Sequence, residues 1–340
     1  MRLKGWKIGF YWFAWIVCLG LLSCEKEALE TPDDNLYLYI QVPSAQTTKA
    51  ISDPGLPTQE GEDWDRLAVI FVYKEVEGKN KIIVKNILKS EFDNLPNSTD
   101  YPGFKSIPLY IEAGTVYIYG VTYSEKVYGD LSSVIGGCST KEEVEQLTIS
   151  NDYAQGAENA TAKFLSVATG YYKGTGTTPA EYEISYGGKG SSASMTLTRL
   201  AAKIDIQWDA ADAYEQGYTD VKVMGFTFDS NNTSVTDTGS GRLFPALNTS
   251  SAKIAGNKTF YNTSEISQRN GRVYHYTFPD GVSVPSVKFK IDAEKSDATI
   301  PDDGYSYTLN FTSALQQATW YKVNATVKGI TGSGTITLGN

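Results

Sequence analysis

One histidine, three cysteines and scattered carboxylates bound the chemistry that this 340-residue chain could perform. His275 stands in Val273-Tyr274-His275-Tyr276-Thr277-Phe278. Alternation there sets it on the face opposite Tyr274 and Tyr276, the place of a strand-surface or satisfied core histidine. A lone histidine excludes a two-His zinc motif and any His-based metal cluster. No G-x-S-x-G elbow is present to offer a serine to a Ser-His-Asp triad. Gly174-Thr175-Gly176 and Gly188-Lys189-Gly190 share glycines with phosphate loops, but neither completes G-x-G-x-x-G or a Walker sequence, so both read as connectors. Asp229-Ser230-Asn231-Asn232-Thr233 starts like a calcium loop, yet Ser234 and Ser240 stand where a glycine and a bidentate acid are needed. Asp302-Asp303 and the Asp209/Asp212 pair lie in loop-like contexts, where acids are solvated, and a glycosidase pair is defined by a separation in space that spacing in sequence does not give. The expectation is a protein with no catalytic residue, no metal and no cofactor.

The cysteines lead elsewhere. Arg2, Lys4 and Lys7 precede an almost unbroken apolar run over residues 8–22, which ends at Ser23, Cys24, Glu25, Lys26 and Glu27. A membrane span needs about 20 apolar residues, and this run is shorter, so residues 1–23 read as an export signal. Leu21-Leu22-Ser23-Cys24 looks like a bacterial lipobox, in which small residues admit the peptidase and the Cys24 thiol takes the diacylglycerol. An ordinary secretory signal with an incidental Cys24 is the bland alternative. Each buried CH₂ contributes about 0.8 kcal/mol, and one chain alone binds marginally. Several acyl chains, a palmitate among them, would therefore hold the protein on the outer membrane without crossing it. Cys18 leaves with the signal and Cys24 is acylated, so only Cys138 remains and no internal disulfide is available. Gly136-Gly137-Cys138 reads as a turn with a small, half-buried thiol.

Removing residues 1–23 takes away three positive charges and no negative one, moving the formal charge from −9 to −12. Nucleic acid is excluded as a partner, because backbone binding needs a basic face. The remaining length of about 317 residues exceeds what a single core organises, so two domains are expected, divided near residue 190. Richness in Gly, Thr, Ser and Tyr, with little helical periodicity, points to all-β sandwiches.

Residues 24–35 read as an acidic tether. Leu36, Leu38, Ile40 and Val42 then alternate with Tyr37, Tyr39 and Gln41, a strand with one core face. Residues 44–63 form a loop with Lys49 exposed in it. The RLAVIFVY run over residues 66–73 is expected to be buried on both faces, and it pairs as a hairpin with residues 81–88. Residues 105–111 and 115–123 read as a second pair across Glu112-Ala113-Gly114. Lys141-Glu142-Glu143-Val144-Glu145-Gln146-Leu147, with a hydroxyl cap at Ser139 or Thr140, is the one short helix expected. Residues 164–169 and 182–186 follow as strands. The second half reads as strands over 194–208, 220–228, 272–278, 287–292, 305–311 and 320–327, with no internal repeat.

Together these features resemble the fimbrillin family of Bacteroidota, the FimA- and Mfa-like subunits of type V pili. The residues that carry the resemblance are the lipobox at Cys24, Gln46-Thr47-Thr48-Lys49-Ala50, Asp63-Trp64-Asp65-Arg66-Leu67, Leu197-Thr198-Arg199-Leu200-Ala201-Ala202-Lys203-Ile204-Asp205, and Trp320-Tyr321-Lys322-Val323. They span almost the whole exported chain in order. The resemblance implies two tandem transthyretin-like, Greek-key β-sandwich domains, over 36–190 and 191–340. It further implies a trypsin-like cut in the loop after the first strand, here between Lys49 and Ala50, where the family's best-known site has arginine. Loss of the strand carrying Leu36, Leu38, Ile40 and Val42 would expose a sheet edge. A C-terminal strand of a neighbour, here the tail with Val323, Val327, Ile330, Ile336 and Leu338, would fill it. Partners would be other fimbrial subunits in a homo- or hetero-polymer, with host or bacterial surface receptors. A tip or anchor subunit would share the fold and differ at its ends. A surface glycan-binding lipoprotein, suggested by the tyrosine-rich strands, is the rival reading.

Overall fold

The computed structural model describes residues 36–43, 64–74, 79–150, 166–185, 191–229, 240–247, 259–261, 270–279, 281–282, 284–296, 305–328 and 331–338. The described chain is an all-β protein whose strands, numbered in chain order, form several sheets edged by short helices. None of those helices is long and apolar enough to cross a membrane. The export signal, the lipobox with Cys24, the tether, and the Lys49-Ala50 loop lie outside the described residues.

Two facing sheets build the amino-terminal half. The smaller runs β4 (Lys105–Leu109), β1 (Leu36–Gln41), β9 (Ser191–Thr196). The larger runs β10 (Thr198–Arg199), β7 (Ala168–Tyr171), β5 (Gly114–Tyr123), β2 (Arg66–Tyr73), β3 (Ile82–Leu88), with β8 (Tyr182–Ile184) also on β5. β2 shows why the chain has an uninterrupted apolar run. Leu67, Val69 and Phe71 pack toward the smaller sheet, whereas Ala68, Ile70 and Val72 join a second core on the opposite face. Both faces are dry, so every position from Leu67 to Val72 is apolar. The second core is roofed by α3 (Leu131–Gly136) and α4 (Lys141–Glu145), which follow α1 (Lys89–Asn94) and α2 (Glu125–Tyr128) in the chain. α4 is the expected helix, and Thr140 caps it by accepting a hydrogen bond from the Glu143 N–H at 3.1 Å. With α5 (Ala211–Glu215) there are five short helices among the described residues, where a single one was expected. Each has only four to six residues, below the length at which apolar periodicity identifies a helix.

The carboxy-terminal half is a second sandwich. One sheet runs β15 (Asn270–Thr277), β11 (Ala202–Asp209), β18 (Trp320–Lys328), β19 (Thr331–Leu338). The other runs β14 (Thr259–Tyr261), β12 (Thr219–Asp229), β16 (Ser286–Glu294), β17 (Tyr305–Asn310). Between them pack Ile204, Ile206 and Trp208 of β11, Val287, Phe289 and Ile291 of β16, and Val323 and Val327 of β18. A two-stranded ladder of β6 (Thr148–Ser150) with β13 (Ser240–Arg242) ties the halves together, and Leu243, Phe244 and Phe278 enter the core under β2 and β5.

Three sequence expectations change. β4 and β5 are not a hairpin: β4 pairs with β1 in one sheet and β5 with β2 in the other, because Ile111 to Ala113 carry the chain across the sandwich. The run over 194–208 is three strands, not one, switching sheet at Leu197 and again at Leu200-Ala201. In consequence the division near residue 190 is displaced, since β9 and β10 pair with β1 and β7 of the first half. Two glycines make the crossing possible. Gly120 and Gly170 face each other on β5 and β7. A Cβ on Gly170 would sit 2.3 Å from the Thr196 carbonyl oxygen, and one on Gly120 would sit 2.8 Å from the Leu197 side chain, so the chain passes directly over bare backbone.

Candidate functional site: an enclosed first strand

β1 starts the described chain and lies between two other strands. It runs antiparallel to β4, with Leu36 opposite Leu109 and Ile40 opposite Lys105. It runs parallel to β9, from Leu36 opposite Ser191 to Gln41 opposite Thr196. Loss of this strand would therefore leave two sheet edges, on β4 and on β9, with a slot between them. Leu36, Leu38 and Ile40 are each 0% exposed and fill the sandwich against Trp64, Leu67, Phe71, Ile107 and Ile118. Val42, just past the strand, packs partly buried on the same cluster. The four residues named from alternation thus share one core. Their partners Ala193, Met195 and Leu197, which complete the slot, were not marked by any local signal, because they belong to a run that changes sheet.

The strand's outer face is different. Tyr37 and Tyr39 point away from the core, and the Tyr39 ring lies 4.8 Å from Tyr101, which in turn lies 5.8 Å from Phe104. Burial first, then the charge of Asp100, raises the Tyr39 phenol above its ordinary value. Past the strand's end the Gln41 carbonyl accepts from the Leu197 N–H at 2.8 Å, and the Thr196 hydroxyl donates to the Gln41 carboxamide oxygen at 3.4 Å.

The other half of the expected joint is placed at the carboxy terminus. β18 is interior, parallel to β11 on one side and antiparallel to β19 on the other. Val323 and Val327 are 0% exposed within the second core. They hold the second sandwich together in the uncut chain, so a donor strand that included them would have to leave that core. β19 is the edge strand of its sheet and lies beside β17. Its register sets Ile336 opposite Val323 and Leu338 opposite Tyr321. Ile330, like Cys24, Lys49 and Ala50, lies outside the described residues.

Of the residues singled out for chemistry, Asp302, Asp303, the 188–190 glycine pair and residues 230–234 lie outside the described residues, and several of the others are engaged structurally. Cys138 is half-buried after α3, and burial, followed by the charge of Glu143, pushes its thiol up, away from the reactive thiolate. His275 sits on β15 opposite Ile204. Asp205, fully buried, takes a two-point hydrogen bond from Arg272 at 2.8 and 2.7 Å. The Asp209 carboxylate accepts from the Ala211 N–H at 2.9 Å and serves the start of α5, while Asp212 lies 3.7 Å from Lys328. Among the described residues no group of three or more His, Cys, Asp and Glu is placed to hold a metal.

Fold and site together define an all-β chain of paired sandwiches with its first strand enclosed between two others. No protein-family model and no curated protein matches the chain. Solved structures similar to it include fimbrial and putative cell adhesion proteins of Bacteroidota. A fimbrial assembly protein from Parabacteroides distasonis is 12% identical, with a TM-score of 0.45, over 89% of this chain and 98% of the other. A putative cell adhesion protein from Bacteroides eggerthii is 15% identical, with a TM-score of 0.45, over 90% and 96%. The tip fimbrial protein Mfa3 from Porphyromonas gingivalis, truncated at its C-terminus, is 10% identical, with a TM-score of 0.42, over 89% and 98%.

Proposed function

We propose that this chain is a structural, non-enzymatic subunit of a cell-surface fimbria, exported as an outer-membrane lipoprotein acylated at Cys24 and polymerised by strand exchange. The observation that carries the reading is the enclosure of β1. Three fully buried side chains lie on a strand that has a ladder on each side, and Lys49 follows it closely in the sequence. A cut between Lys49 and Ala50 leaves β1 held only by noncovalent contacts. Burial of a Leu or Ile is worth about 1.5–3 kcal/mol, so the vacated slot would be costly to leave open and a strong acceptor for a replacement strand.

β19 is the replacement that the fold offers. As an edge strand it can leave its sheet by opening one ladder, whereas β18 cannot. Its eight residues span about 27 Å and the six of β1 about 20 Å, so one can cover the other's ladder. Gly332, Gly334, Ile336 and Leu338 fall on one alternation, matching the spacing of Leu36, Leu38 and Ile40. An exchange from copy to copy does not close on itself and therefore makes a filament. The two domains of such a subunit would divide at Leu200-Ala201, where the chain leaves the first pair of sheets. Its partners would be further subunits and surface receptors, at a cell-surface, fimbrial location.

Trypsin treatment of the purified, uncut chain tests the reading: a cut after Lys49 followed by filaments supports it. Replacement of Lys49 by Gln should block both steps. Metabolic labelling with palmitate, lost on Cys24→Ala, tests the anchor separately.

A further inference from the structure

We infer that the junction between the two halves of the uncut chain is a carbohydrate-binding site. A cavity of about 370 Å³ opens where β9 crosses β7 and meets the second half of the molecule. Phe104 and Tyr171 supply aromatic wall, Thr196 and Thr198 supply hydroxyls, and Lys173 and Gln317 supply donors at its rim. Its size is that of a small-molecule site. Outside the cavity the aromatic wall continues: Phe104 leads to Tyr101 at 5.8 Å and Tyr101 to Tyr39 at 4.8 Å, a tilted row on the outer face of the smaller sheet. Tyr101 is 39% and Tyr37 37% exposed.

The composition of the cavity selects its ligand. No carboxylate lines it, so a cation has no partner there. A single lysine is too little for a nucleic acid backbone or a polyphosphate. A purely apolar ligand would desolvate the cavity's hydroxyl and carboxamide groups and offer them no hydrogen bond in return, which costs free energy. A saccharide satisfies both kinds of wall. Its hydroxyls pair with Thr196, Thr198 and Gln317, and its C–H faces lie on aromatic rings that are half exposed and amphipathic. The two rings beyond the cavity, Tyr101 and Tyr39, call for more than one sugar, so the ligand is an oligosaccharide, and Lys173 gives a place for one acidic residue.

The site rests on the geometry of the uncut monomer and is independent of the assembly reading, so either can fail alone. Purified uncut protein is applied to an array of immobilised neutral, sialylated and uronic-acid oligosaccharides, and the best binder is titrated in solution. Tyr101→Ala, Gln317→Ala and Lys173→Ala change exposed or half-exposed groups, and unchanged melting temperatures would show that they fold. Tyr110→Ala, at the far end of β4 and 54% exposed, is the control. The expected result is binding that weakens about tenfold with Tyr101→Ala or Gln317→Ala, the loss of one stacked ring or one hydrogen bond, and is unchanged with Tyr110→Ala. Loss with Lys173→Ala as well would identify an acidic sugar. An array without binders, or binding indifferent to Tyr101 and Gln317, would overturn the assignment.

Discussion

Leu38 and Tyr37 are neighbours in sequence with opposite roles, one 0% and the other 37% exposed. Leu38→Ala should therefore destabilise the uncut chain by about 2–5 kcal/mol, and Tyr37→Ala by no more than about 0.5 kcal/mol; midpoints of urea unfolding give both. Gly271 is a second test of packing, because a Cβ there would sit 2.0 Å from the Trp208 ring across the β11–β15 ladder. Gly271→Ala should cost about 1–3 kcal/mol, as overpacked cores do. Tyrosines set the alkaline limit. Burial, with the Glu112 charge second, pushes Tyr73 up to about 12. Burial, followed by a 2.7 Å hydrogen bond to Glu145, raises Tyr119 much further, and burial alone raises Tyr307. The folded state thus holds these protons where the unfolded chain, with ordinary values near 10, releases them. Their stabilisation is complete below pH 10 and declines as pH rises through 12. Tyrosinate absorbance should accordingly appear in two stages, exposed phenols first and buried ones only as circular dichroism reports unfolding.

At the scale of elements, alternation marked β1 and both-face burial marked β2, because each imposes a local apolar pattern that no neighbour can alter. Pairing was not legible in the same way. Residues 105–111 and 115–123 alternate as hairpin strands do, yet Ile107 and Val116 reach the same core from opposite sheets. Only the crossing of the chain between them separates the two arrangements. The enclosure of β1 was hidden for a related reason, since β9 arrives from 155 residues further along. Likewise the tail read as an extendable strand holds two strands, of which β18 is indispensable to its sandwich and β19 is not. Deleting residues 331–340 should leave a folded monomer with a modestly lower melting temperature and abolish its capacity to polymerise after the trypsin cut. Size-exclusion chromatography with a melting curve would show both effects.

Across the whole molecule, the two halves are coupled by β6 with β13 and by Leu243, Phe244 and Phe278 inserted under the larger sheet. In the proposed assembly such a chain would accept at β1 and donate at β19, with its two halves joined through that ladder and shared core. The core face of β1 was legible from the alternation over residues 36–42. The interior place of β18 needed the strand order, because burial at Val323 and Val327 is a property of the sheet and not of the sequence around them.

The most direct test follows the fate of β1 itself. Purified uncut chain is digested with trypsin, the products are imaged by electron microscopy, and each fraction is sequenced from its amino terminus. Strand exchange requires filaments whose subunits begin at Ala50 and have lost the peptide carrying Leu36, Leu38 and Ile40. A chain cut at Lys49 that remains monomeric under every condition, with that peptide still seated between β4 and β9, would contradict it.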